Sequence, residues 1–75
     1  MSEGIDALVR MANQIASNVA HHRHDQAVAE VATHLRSFWA PSMREDLAAW
    51  VDAGGTGLDP VAYDAVAQLR VQPHR

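Results

Sequence analysis

Apolar residues recur in this chain at the three-, four- and seven-residue spacing of a helical face, in four stretches separated by clear punctuation. Ile5, Leu8, Val9, Ala12, Ile15, Ala16 and Val19 form the first stripe and predict a helix over residues 4–19, with Ser2 or Asp6 at its start. Val28, Val31, Ala32, Leu35, Phe38 and Trp39 form the second, over 26–39, with Asp25 placed as its N-cap. Pro41 stops that helix near Trp39 and suits the first turn of the next, and Ser42 with Glu45 has the spacing of a capping box. Met43, Leu47, Trp50 and Val51 then predict a third helix over 42–53, ended by Gly54-Gly55. Leu58-Asp59-Pro60 reads as staple residue, N-cap and first-turn proline of a fourth, over 60–70, leaving 71–75 as a frayed tail. No stretch alternates with the period of a strand. The expected fold is all-α: a small bundle of three main helices plus a short fourth, one domain over 1–75, with the Phe38–Arg44 corner at its centre.

The polar positions change this picture in one place. On the first helix, the face opposite the stripe carries Ala7, Arg10, Gln14 and Ser17, flanked by Met11 and Asn13, with one full charge among them. A face made only for water normally holds more charge. The second hint is size, because a 75-residue chain buries only about 60–65% of its unfolded surface and is marginal without a staple. With no cysteine, disulfides and thiolate metal sites are excluded, so the staple expected is another chain. Six basic against nine acidic residues give a net charge of −3, the wrong sign for phosphate binding, and no apolar run approaches a membrane span of about 18 residues. Neither nucleic acid nor membrane is an expected partner, and a cytoplasmic location is expected.

Candidate chemistry is sparse. His21, His22 and His24 cluster in one loop, but a metal site needs three or four convergent ligands, so a polar interhelical loop is the plainer reading. His34 stands alone at a helix border. Gly54-Gly55-Thr56-Gly57 lacks the strand before it and the Gly-Lys-Ser/Thr ending of a phosphate loop. No nucleophile–base pair or coupled carboxylates stand out from capping residues and surface charge, so no catalytic, cofactor-binding or metal residues are assigned. The corner could pass for a helix-turn-helix, yet its second helix holds Glu45, Asp46 and Asp52. Phe38, Trp39 and Trp50 serve either the core or a partner.

Three blocks in combination are specific: Leu8 to Ala16, with its Met-Ala-Asn-Gln-Ile run; Val31 to Arg44, with Phe-Trp-x-Pro-x-Met-Arg; and Gly54 to Pro60. Together they resemble the small delta subunit of the NAD-dependent, molybdenum-containing formate dehydrogenases, over nearly the whole chain. The family pattern has Asp and Arg where this chain has Ala40 and Ser42. The resemblance implies an accessory subunit without a cofactor of its own. The molybdenum cofactor, iron–sulfur clusters, FMN and NAD then belong to larger partner subunits, the catalytic alpha subunit first among those expected to be bound. It also implies a role in assembly, stability or cofactor loading. The expected partner-binding residues are Arg10, Asn13, Gln14, Arg36, Trp39, Met43 and Arg44, with Trp39 facing outward at the end of its helix and Trp50 in the core. The alternative is a free-standing helical dimer acting as a small regulatory or DNA-binding module, and a homodimer is also the form open to the isolated subunit.

Overall fold

The computed structural model of the chain describes residues 3–71; Ser2 and residues 72–75, and with them the expected start residue and most of the expected tail, lie outside the described residues. Four helices follow one another: α1 (Glu3–Asn18), α2 (His24–Phe38), α3 (Pro41–Asp52) and α4 (Pro60–Val71). Among the described residues there is no strand. Each helix lies within two residues of the span its apolar stripe predicts, and α4 equals α3 in length at 12 residues.

The helix starts differ from expectation in an instructive way. Asp25 does not cap α2: the N-cap is Arg23, extended at φ −63° and ψ 154°, and its side chain makes no capping bond. Asp25 falls inside the first turn, where a carboxylate is favoured by the helix dipole, and its Oδ1 accepts from the Gln26 N–H at 2.9 Å. Asp6 likewise lies within α1 rather than ahead of it. At α3 the capping box of Ser42 and Glu45 does not form, because Pro41 itself takes the first helical position. A proline there forces the preceding residue out of helical geometry, so Ala40 becomes the N-cap, at φ −64° and ψ 147°. The Ala40 carbonyl accepts from the N–H groups of Met43 and Arg44, at 3.0 and 3.2 Å.

The end of α3 and the start of α4 follow the residues closely. Past the C-cap Ala53, the N–H of Gly54 donates to the Val51 carbonyl at 3.0 Å and that of Gly55 to the Trp50 carbonyl at 2.8 Å. This pair of bonds is a Schellman motif, and it requires the left-handed φ of +86° that Gly54 adopts. Gly55 is needed for a different reason: the Trp50 indole occupies the space a Cβ would take. Asp59 caps α4, its Oδ1 accepting from the Val61 N–H at 2.8 Å, with Pro60 as the first helical residue.

All four helices contribute to one buried cluster, in which Leu8 and Ala12 of α1, Leu35 of α2, Leu47 of α3 and Val66 of α4 take part. Its centre is not the Phe38–Arg44 corner. The most extensive contact joins α2 to α4, and α2 with α3 share the least. Val31, Ala32 and Leu35 of α2 and Ala62 and Ala65 of α4 are all essentially inaccessible to solvent, and methyl-sized side chains on α4 allow two helices to approach closely.

Candidate partner-binding surfaces

The seven residues expected to bind a partner separate into groups with different roles. On α1, Arg10 and Gln14 are exposed together with Met11, around an open depression that Ser17 and Asn13 complete. Gln14 reaches along its own helix, where Nε2 donates to Asn18 Oδ1 at 3.4 Å. Asn13 is engaged elsewhere. Its Nδ2 donates to the Gly57 carbonyl at 2.8 Å while its Oδ1 accepts from the Asp59 N–H at 2.7 Å, so one amide pins the α3–α4 connection to α1. Gly57 turns the chain toward that amide with φ +91°.

At the corner the expected outward placement of Trp39 is corrected: its residue exposure is 6%, and the aromatic side chain that faces out is Phe38, at 75%. Helical geometry explains the exchange. Trp39 lies 11 residues beyond Val28, about 20° from the same face, whereas Phe38 falls about 80° away from it. At the last turn of α2 the His34 ring lies against that flank, its centroid 4.8 Å from that of Phe38. Met43 is partly buried against the core, as is Trp50, which meets the expectation that it joins the core stripe. Among the described residues the buried Trp50 Nε1 meets no hydrogen-bond partner, a polar cost of holding the ring over Gly55.

Arg36 and Arg44 stand at a groove that the sequence did not disclose. Leu35 of α2, Leu47 of α3, and Val66 and Leu69 of α4 give it apolar lining, and its volume is about 470 Å³. Arg36, Arg44 and Arg70, one from each helix, line it as well, together with Glu45. The Arg44 Nη1 donates to the Arg36 carbonyl at 3.4 Å, joining the end of α2 to the start of α3, and the Arg70 Nη1 pairs with Asp52 Oδ1 at 2.8 Å. Arg70 escaped the sequence reading because α4 was read only as a stripe for the core; its place in the last turn, beside Leu69, was the available signal.

The histidine loop does not converge. His22 Nε2 turns to Glu30 Oε2 at 3.5 Å, and His24 Nε2 to Asp64 Oδ2 at 2.7 Å. The His21 and His22 rings lie against each other at 4.2 Å. Among the described residues no three His, Cys, Asp or Glu side chains gather in a way that could hold a metal ion, and no helix is long and apolar enough to cross a membrane.

Comparison with known proteins adds one finding. The family model described as the NADH-dependent formate dehydrogenase delta subunit FdsD matches residues 7–66. Neither the curated proteins nor the solved structures give a match.

Proposed function

The chain belongs to the NADH-dependent formate dehydrogenase delta subunit family, and from that premise we propose that it is a non-catalytic accessory subunit that binds the larger subunits of the dehydrogenase, the catalytic alpha subunit first, in the cytoplasm. In this reading formate oxidation and its molybdenum, iron–sulfur, FMN and NAD cofactors reside in those larger subunits. The chain supports their assembly, stability or cofactor loading. The observation that carries the proposal is the family match across α1 to α4. An exposed α1 face with little charge and a groove mixing apolar side chains with arginine support it, since arginine is enriched and lysine depleted at binding surfaces.

Arg10 and Gln14 on α1, and Arg36 and Arg44 at the groove, are the side chains proposed to touch a partner directly. Asn13, Trp39 and Met43 serve the same surfaces by holding loop and helix ends in place. The test is removal of the chain from its native source. The dehydrogenase purified without it is expected to lose formate oxidation, molybdenum content or intact subunit composition, and tagged chain is expected to bring the larger subunits down from extract. Full activity with normal molybdenum and normal subunit stoichiometry in its absence would refute the accessory role.

A further inference from the structure

The groove between α2, α3 and α4 narrows the kind of partner segment the protein can take. All six of the strongly basic residues in the sequence are arginines, in a chain whose net charge is −3. Three of the six, Arg36, Arg44 and Arg70, line this single groove, from three different helices. Arg44 donates to the Arg36 carbonyl and Arg70 pairs with Asp52, so these two guanidinium groups are placed before any partner arrives. Between them the lining is apolar, from Leu35, Leu47, Val66 and Leu69.

We propose that this groove docks an acidic amphipathic helix of a larger dehydrogenase subunit, its apolar face on the leucine and valine lining and its flanking carboxylates on the guanidinium groups. The inference rests on the accessory-subunit reading and specifies the segment that reading leaves open. Charge complementarity selects the sign: a guanidinium presents a planar fork that fits a carboxylate with two hydrogen bonds. The lining selects the shape. Among the described residues there is no strand, hence no sheet edge for an extended peptide to join, and the groove has no aromatic lining of the kind that grips a proline-rich segment. A helix that places apolar residues at i, i+3, i+4 and i+7 with Asp or Glu at the borders satisfies both requirements.

The experiment measures binding of the full chain to the dehydrogenase purified without it, with hydrogen–deuterium exchange on the larger subunits to find the protected segment. Wild-type chain is expected to bind, more weakly as salt is raised, and to protect one helical segment with apolar spacing and flanking carboxylates. The double variant Arg36→Glu/Arg44→Glu is expected to lose about 30-fold or more in affinity. An Arg23→Glu variant, at an exposed arginine outside both the groove and the α1 surface, separates loss at the groove from loss at any charged surface. Circular dichroism checks each fold, and Arg36→Gln/Arg44→Gln replaces the reversed pair should it fail to fold. If wild type binds and neither groove variant weakens it, or the protected segment is basic or not helical, the groove proposal falls while the accessory reading stands. Competition of binding by inorganic phosphate at low millimolar concentration would identify a small anion as the occupant and overturn the helix. Self-association in sedimentation, lost in the groove variants, would identify a second copy and overturn it as well. Failure of wild type to bind the larger subunits at all removes both readings together.

Discussion

The connection from α2 to α3 consists of Trp39 and Ala40 alone, both extended, whereas the one from α3 to α4 runs over residues 53–59. In the short one Trp39 closes α2 through its backbone N–H to the Leu35 carbonyl, and Ala40 opens α3 with no side-chain cap. It is shaped by the ring of Pro41 and by burial of the Trp39 indole, with the helix-end backbone bonds and the Arg44 reach to the Arg36 carbonyl beside them. The long one is fixed by hydrogen bonds: the paired turns at Gly54 and Gly55, the Asp59 cap, and the Asn13 amide reaching over from α1. Two residues strand few backbone groups, and the ends of the two helices take up those of Trp39 and Ala40, so sterics and apolar burial do most of the directing. Seven residues carry more donors and acceptors than a protein can leave unpaired, and each bond made there also removes a degree of freedom from the loop.

The comparison is most exposed to failure at Trp39. Trp39→Ala removes the one large side chain that anchors the short connection and is expected to cost about 3–5 kcal/mol, against the roughly 5–15 kcal/mol that holds an ordinary domain folded. Thermal melting of the isolated chain by circular dichroism reads this as a broad loss of helix near room temperature. A melting temperature close to wild type would show that Pro41 and the hydrogen bonds at the helix ends hold the corner without the indole. Asn13→Ala is the matching test of the long connection. It deletes bonds of 2.8 and 2.7 Å to Gly57 and Asp59, and is expected to cost about 1–3 kcal/mol through the groups left unpaired. Amide exchange should quicken at Asp59 and its neighbours before it does so in α2, and unchanged protection at Asp59 would place the stability of the loop in its glycines instead. The smallest effect belongs to Phe38→Ala, adjacent to Trp39 in sequence but 75% exposed. It should shift stability by no more than about 0.5 kcal/mol, in either direction. A larger shift in the melt would give the His34 contact a structural weight that its surroundings do not suggest.

Much of this architecture was legible from the residues because the relevant forces act over one helical turn. The four apolar stripes locate the helices, and Gly54, Asp59 and Pro60 mark their positions by what their own backbone or side chain can do. The starts of α2 and α3 were misplaced for an equally local reason. Asp25 and Ser42 are good capping residues in general, but the chain turned helical before reaching them, and at α3 Pro41 decided the matter. The inward Trp39 and outward Phe38 were also within reach, since 100° per residue separates them; a position at the helix end invited the opposite assignment. What could not be read were relations across distance. Nothing near Asn13 shows that its amide meets residues 44 and 46 positions away. Likewise Arg36, Arg44 and Arg70 look like unrelated surface charges until three helices bring them to one groove.

The pairing of α2 with α4 as the most extensive contact has a consequence for how the molecule comes into being. These two helices are separated in the chain by α3 and both of its connections. On a ribosome adding about 5–20 residues per second, α2 is complete a few seconds before α4 exists to cover it. Those seconds are long beside the microseconds in which a helix forms, so the Val31, Ala32 and Leu35 face waits for its complement at a pace set by translation. In that interval the nascent chain carries, uncovered, an adhesive face that the finished protein hides.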